Sequence, residues 1–375
     1  MYWFYDQIPF GCISCITPPH VLERIAERGS AAQKTRARST LDLDDIIRRQ
    51  RIRQSTLRRP ARALRRFQRL LQSPELAGSA VCAEKRTIFD AKQGQRLPGS
   101  KVRSEGQAPT GDPAVDEAYE GLGHTFDLYE DVYERCSIDD EGMPLLASVH
   151  FKKGYDNAFW NSRQMVFGDG DEDLPPAQRI FNRFTISLDV IGHELTHGVT
   201  EHESGLLYVG QAGALNESMS DVFGSLVKQK HLNQTASQAD WLIGAELLTN
   251  NVTGVALRSM KDPGNAFDDP VLGKDDQPAH MSDYVRTFQD NGGVHINSGI
   301  PNKAFFLAAT NIGGYAWQKA GLVWYETNRS PALRPFTLFA TFANLTITVA
   351  GQLFGAGGTE QKAIEDAWQQ VGVIA

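Results

Sequence analysis

Between Val190 and Val227 the chain reads VIGHELTHGVTEHESGLLYVGQAGALNESMSDVFGSLV, an apolar stretch carrying His193 and His197, a glutamate between them and, about two dozen residues later, a second acidic cluster. His193 and His197 are four residues apart. On a helix their imidazoles stand one above the other on one face, about the separation at which both can bind one zinc ion. Two ligands leave a protein site incomplete. Glu217 is the third candidate, and Asp221, four residues on, projects from the same face of a second helix. Gly205, Gly210 and Gly213 supply the turn that lets the two helices face each other. Two histidines and one carboxylate leave a tetrahedral zinc one position for water, the arrangement of a hydrolytic rather than a structural site.

Glu194 directly follows a ligand, so it borders that open position without sharing the metal, and it is the candidate general base. Asp221 plays a different part. A ligating imidazole donates its other N–H to a carboxylate or carbonyl, and Asp221 is assigned to His193 on that ground. A histidine pair at this spacing is in many helices only a solvated face. The repeat of ligand-type spacing at Glu217 and Asp221 sets this stretch apart.

The elements that must position these groups are legible in part. With 375 residues, 41% hydrophobic and 22% charged, the chain has room for more than one domain and a large core. No apolar run reaches the length of a membrane span, so no membrane partner is expected. From Lys85 to about Ser187 the signals lean toward strands, with KRTIFDAK and LLASVHF alternating and a helix candidate near Pro113 to Glu134. After Ser187 the periods become helical. EQKAIEDAWQQVG puts Ile364, Ala367, Trp368 and Val371 on one stripe and stops at Gly372.

The first 80 residues differ from the rest. They hold 15 Lys+Arg against 7 Asp+Glu, a net +8, so with −7 for the whole chain the remainder carries −15. Three short helices are predicted there: HVLERIAER, a segment from Leu41 to about Gln54, and ARALRRFQRLLQ with Leu64, Phe67, Leu70 and Leu71 on one stripe. Ser73 to Ser79 reads as a linker. The tract from Arg48 to Arg69 would suit a polyanion, but the acidic body opposes it and no nucleic-acid partner is expected. Opposite charge instead predicts a head that folds back on the body and covers the cleft. Four cysteines (Cys12, Cys15, Cys82 and Cys136) are too few for a disulfide framework, and Cys12-x-x-Cys15 has no second pair at zinc-site spacing. The opening residues have no basic leader, a break at Pro9 and no small-residue cleavage site, so the expected compartment is the cytoplasm, or the exterior by a non-classical route.

HELTHGVTEHESGLLYVGQAGALNESMSD resembles the active-site helices of the thermolysin family of zinc metalloendopeptidases. The likeness extends through DNAFWNSRQMVFGDGD, ALRSMKDP and DNGGVHINSGIPNKAFFLAA, and covers roughly Lys85 to the C-terminus. The short head with Pro18-Pro19-His20-Val21-Leu22 is similar to the protealysin-like branch, in which a brief propeptide precedes the enzyme. The resemblance implies an α+β two-domain fold: a propeptide over 1–80, a β-rich domain over 81–188 and a helical domain over 189–375, with zinc in the cleft between the last two. It further implies a monomeric endopeptidase made as a zymogen that processes itself, acts on proteins or peptides, and prefers a bulky apolar residue on the amine side of the cleaved bond.

The resemblance also supplies roles that spacing does not. His295 matches the histidine that binds the oxyanion of the tetrahedral intermediate, Tyr208 its phenolic partner, and Asp290 the acid that orients it. Asn157 and Ala158 match the edge strand that pairs with the substrate backbone, and Arg258 the arginine that holds a substrate carbonyl. One position departs from the pattern. Many thermolysin-like enzymes carry an acid where this chain has Lys228, and there it helps hold two calcium ions with an acid matching Asp189. A lysine leaves room for at most one calcium, with Asp189 as its ligand. GDGDED, Gly168 to Asp173, lacks calcium-loop spacing and reads as an acidic turn.

Overall fold

The strand signals upstream of Ser187 assemble into one mixed sheet. The computed structural model describes residues 15–46 and 82–375. Strands β1 (Arg86–Asp90), β2 (Ser100–Ser104), β3 (Leu145–Val149), β4 (Ala158–Trp160) and β5 (Met165–Phe167) lie in the order β2-β1-β3-β5-β4. β1 runs antiparallel to β2 and parallel to β3, β3 is parallel to β5, and β4 closes the sheet antiparallel to β5. β4 is therefore an edge strand, yet all three of its residues are buried. The head of the same chain pairs with its open edge.

The head contributes α1 (Pro19–Arg28) and a second helix, α2, over 31–46. α1 matches the predicted HVLERIAER helix, with Pro19 in its first turn. α2 corrects the expected start at Leu41. It begins ten residues earlier because Ser30 and Gln33 form a reciprocal cap: Ser30 N donates to Gln33 Oε1 (2.7 Å), and Gln33 N donates to Ser30 Oγ (3.4 Å). Cys12, the predicted helix beyond residue 46, the Leu64–Leu71 stripe, the Arg48–Arg69 tract and the Ser73–Ser79 linker lie outside the described residues.

α3 (Pro113–Tyr133) packs on β1 and β3. Asp112 caps it by accepting from Ala114 N, and Glu134 ends it in the left-handed region. A disulfide joins Cys82 to Cys136 just beyond this helix. The four cysteines, too few for a framework, still form this one bridge among the described residues. A count of four limits how many bridges can form but does not say which residues meet.

The helical half follows. α4 (Leu188–His202) and α5 (Gly210–His231) carry the metal-type residues; α6 (Asp290–Asn297), α7 (Gly299–Ile312), α8 (Ala320–Arg329), α9 (Phe339–Phe354) and α10 (Thr359–Gln370) pack beside them. α4 and α5 make the most extensive helix–helix contact in the described chain, and glycine sets how near they come. A Cβ on Gly224 would stand 2.3 Å from the Asp189 carbonyl oxygen, and one on Gly192 would stand 3.1 Å from Gly224 Cα. The α10 stripe is buried as its period predicts, with Trp368 stacked on Trp324 and its indole N–H donated to Thr346 Oγ1 (2.9 Å). Among the described residues no helix is long and apolar enough to cross a membrane.

Lys228 resolves the calcium question. Its ammonium donates to Asp189 Oδ2 (2.7 Å) and the Leu242 carbonyl (2.9 Å) and lies 3.1 Å from Asp240 Oδ1. Asp189 Oδ1 accepts from Ser187 Oγ (2.7 Å) and Gly244 N (3.1 Å). A tethered cation holds the position, so the expected ligation of calcium by Asp189 is not what the fold builds. Burial disfavours the ammonium, but Asp189 and then Asp240 more than offset this and push the Lys228 pKa up. Lys228→Met should therefore cost about 3–5 kcal/mol in urea unfolding, the penalty for a buried charge left unpaired, and excess calcium should not shift the wild-type midpoint. A loss below about 1 kcal/mol would show that Asp189 is balanced by something other than this lysine.

Candidate active site

α4 is buried almost throughout, from Asp189 to Thr200, so its polar groups need partners inside the protein. Those partners come from α5. His193 Nδ1 donates to Asp221 Oδ1 (2.8 Å), and His197 Nδ1 donates to Asn216 Oδ1 (2.8 Å). With both Nδ1 atoms donating, both Nε2 atoms present lone pairs, and these face each other at 3.0 Å. Glu217 Oε2 lies 3.6 Å from His193 Nε2, and Glu217 Oε1 lies 3.6 Å from His197 Nε2. Glu217 Oε2 is buried and has no hydrogen-bond partner among the described residues.

Converging acceptors of this kind repel one another unless a cation lies between them. His193, His197 and Glu217 are the one set of three metal-type residues among those described whose ligand atoms all lie within 4.8 Å of one another. Tetrahedral zinc with bonds of 2.0–2.1 Å wants ligand atoms about 3.3 Å apart, so the separations fit. Burial, and then the neighbouring His193, push the His197 pKa well down, which keeps the ring in the neutral form that binds metal.

Asp221 is fully buried and shared. Arg258 grips it through Nε to Oδ2 (2.9 Å) and Nη2 to Oδ1 (2.7 Å), and Asn302 Nδ2 donates to Oδ2 (2.8 Å). Burial alone would raise its pKa, but Arg258 and then His193 hold it well below the usual carboxylate range. Arg258 thus does two things: it balances Asp221 and points Nη1 into the cleft.

Glu194 lies beneath the edge strand, where Oε2 accepts from Trp160 N (3.0 Å). On the other side of the metal-type residues Tyr208 donates its hydroxyl to Glu217 Oε1, and that hydroxyl lies 3.0 Å from His295 Nε2. Asp290 accepts from His295 at Nδ1 (2.6 Å) and at the backbone N (2.8 Å). Asp290, Asn291, Gly292 and Gly293 all have positive φ, a coiled entry that puts the acid beside a ring five residues on. Burial works against a charged His295, but Asp290 and then Glu217 outweigh it and raise its pKa, which favours a proton on each ring nitrogen. One proton goes to Asp290. The other is offered to the cleft.

The cleft is filled by residues 15–17 of the head. Cys15 pairs antiparallel with Phe159, Ile16 N donates to the Ala158 carbonyl (3.4 Å), and Thr17 N donates to Asn157 Oδ1 (3.0 Å). His295 Nε2 donates to the Cys15 carbonyl (3.0 Å) and Arg258 Nη1 donates to the Ile16 carbonyl (3.0 Å). Ile16 and Cys15 are both fully buried. The structure thus brings together Glu194, His193, His197, Glu217, Asp221, Tyr208, Asp290, His295, Asn157, Ala158 and Arg258. Asp189 stands apart, beside Lys228. Sequence reasoning missed Asn216, Asn302 and the Trp160 amide. The first directly precedes Glu217 but nothing in its spacing marks it, and the other two act only through tertiary contact.

Comparison with known proteins gives this geometry a family. The family described as Thermolysin metallopeptidase, catalytic domain matches residues 77–201, and the one described as Thermolysin metallopeptidase, alpha-helical domain matches 204–373. An extracellular metalloprotease of Pectobacterium carotovorum is 50% identical over 361 residues, 96% of each chain. An extracellular minor metalloprotease of Serratia marcescens is 50% identical over 212 residues, 55% of this chain and 57% of that one. The solved precursor of protealysin, a metalloproteinase from Serratia proteamaculans, superposes with a TM-score of 0.83 at 50% identity, covering 96% of this chain and all of the other. The names of these relatives overturn the expected cytoplasmic placement and point to secretion. The expectation was weak because it rested on reading the opening residues for the signal of one export route only. The chain belongs to the thermolysin family of zinc metalloendopeptidases, with an α+β fold and His193, His197 and Glu217 as its metal-type triad.

Proposed function

We propose that this chain is the zymogen of a secreted endopeptidase, that residues up to about Ala80 are its intramolecular inhibitor, that it removes them itself, and that the mature enzyme cleaves before bulky apolar residues. One observation carries the reading: the Cys15 carbonyl sits on His295 and the Ile16 carbonyl on Arg258, the two side chains assigned to a substrate's carbonyls. The head runs antiparallel to β4 as an extra strand, which is how an extended peptide adds to an exposed sheet edge. Ile16, the residue after the carbonyl on His295, is apolar and fully buried, which supports the preference on the amine side.

In this reading His193, His197 and Glu217 would hold a zinc ion, which would supply a water acidified toward a pKa of about 7 and a Lewis acid for the carbonyl. The protein does the rest. Asn157, Ala158 and Arg258 hold the peptide backbone against β4, so the reacting carbonyl arrives in one orientation. Glu194 takes the proton of the attacking water and returns it to the leaving amine. His295, kept protonated on both nitrogens by Asp290, and the Tyr208 hydroxyl donate to the oxygen on which negative charge develops. Asp221 orients His193 and cancels the charge of Arg258.

Two outcomes test the assignments. Glu217→Ala should be isolated without stoichiometric zinc, whereas Asp221→Ala should bind zinc about 10–100-fold more weakly than wild type yet retain it when zinc is supplied. Equal affinities by competition with a chelator would reverse the two roles. Glu194→Gln should leave a folded, zinc-loaded precursor that stays intact alone and loses its head, upstream of Cys82, when a trace of active enzyme is added. Self-cleavage of this variant at the wild-type rate, or full peptidase activity in an uncut wild-type chain, would remove the zymogen reading.

A further inference from the structure

Beyond the cleft, α2 carries Arg36 into a socket of three acids. Its Nη1 donates to the Gly170 carbonyl (3.1 Å) and lies 3.7 Å from Asp171 Oδ1, and its Nη2 donates to Asp173. The side chain crosses Gly154, where a Cβ would stand 2.9 Å from Nη1 and 3.1 Å from Cζ, so a glycine is what leaves it a floor. Asp156 completes the set. Asp171 and Asp156 are only 1% and 2% exposed, and the Oδ1 atom of each has no hydrogen-bond partner among the described residues. Asp171 Oδ2 is committed to Ile180 N (2.8 Å) and Phe181 N (3.1 Å), which fixes Oδ1 toward the guanidinium. Two lysines of the body also lie near the set: Lys153, exposed and 3.7 Å from Asp173, and Lys152, half-buried beside Asp156, whose ammonium donates to the Ser39 carbonyl of the head (2.8 Å). Among the described residues these acids do not come near enough to one another to share a metal ion.

Its position matters because it lies on the line of the substrate. The bridge from Cys15 to Phe159 fixes a register in which Ile16 faces Ala158 and Thr17 faces Asn157. A peptide continuing straight past Thr17, at about 3.4 Å per residue, would place its next residue opposite Asp156 and run on beside the turn that ends at Gly154. Asp156 N is an edge donor in that direction, taken here by Thr40 Oγ1 (3.2 Å) from the head. The head itself turns away at Pro18-Pro19 into α1 and reaches the socket by another route, through α2.

We propose that the socket formed by Asp156, Asp171, Asp173, Gly154 and the Gly170 carbonyl is a substrate subsite for an arginine side chain, three to five residues after the cleaved bond, and that Arg36 fills it in the precursor. The proposal rests on the peptidase reading above. Carboxylates around a guanidinium give short, charge-assisted bonds, and removal of the head takes Arg36 away from the acids it balances, so a cationic side chain is the occupant they select.

The test uses the zinc-loaded full chain after activation by its own processing, with peptides that differ only in carrying arginine or glutamine at the third, fourth or fifth position after the cleaved bond. The expected result at one of these positions is a kcat/KM about tenfold higher for arginine. The ratio should collapse toward one in Asp173→Asn and return in Asp173→Glu, which keeps the charge. Asp173 is the partly exposed member of the set and is chosen because Asp171 also holds backbone amides. A ratio of one at all three positions in the wild type, or a ratio unchanged in Asp173→Asn, would overturn the proposal and leave Arg36 as a latch for the head alone. Failure to cleave any of the peptides would instead remove the peptidase reading, and this one with it.

Discussion

The close crossing of α4 and α5 is the constraint on which the rest depends. Gly192 and Gly224 let two almost fully buried helices touch backbone to backbone, and that distance puts His193 and His197 opposite Glu217, Asn216 and Asp221. A side chain at either glycine would have to be accommodated against backbone atoms, which do not yield as a flexible side chain can. Everything polar at the interface is then dry. Each acceptor and each charge must be matched by a neighbour whose position the packing already fixes.

The matching is done twice by fixed cations, in two ways. Arg258 takes Asp221 through two nitrogens and has a third left for the cleft, so one guanidinium both orients a histidine's partner and reaches a peptide carbonyl. Lys228 is a point charge at the far end of α5, where Asp189, Asp240 and a backbone carbonyl converge. The lysine makes the junction of α4 and α5 self-sufficient. In the low effective dielectric of such a junction an acid without its cation would be the largest single cost in the neighbourhood.

Much of the site was legible because titratable residues in an apolar stretch are expensive unless they are used, and the i,i+4 steps at His193–His197 and Glu217–Asp221 state which faces use them. The α10 stripe was legible for the simpler reason that a 3.6-residue period with a glycine stop has one solution. Other features were not. The start of α2 was written in Ser30 and Gln33, a capping box that the weak apolar period of the following residues obscured. The Cys82–Cys136 bridge joins residues 54 apart, and no spacing rule names such a pair. Asn216 and Asn302 orient the site through hydrogen bonds that exist only once helices meet. The two-residue strands between 242 and 274 are too short to carry a period at all.

The head meets the cleft with backbone carbonyls at His295 and Arg258 and with side chains elsewhere: Arg24 on Asp276, Arg36 on Asp171 and Asp173, Asp44 on Tyr155 and Asn157. Carbonyl contacts are the ones any peptide can make, so they give the head no advantage over substrate. Its advantage in the proposed zymogen comes from the side-chain contacts and from the covalent link, which holds the head near the cleft at the high effective concentration of a tethered ligand. Cutting the chain between residues 46 and 82 would leave the contacts of the described head residues in place and remove the tether. Activation then needs no rearrangement of α4, α5 or the metal-type triad: dilution or digestion of the freed head is enough, and the edge of β4 is exposed in the form in which the head already uses it.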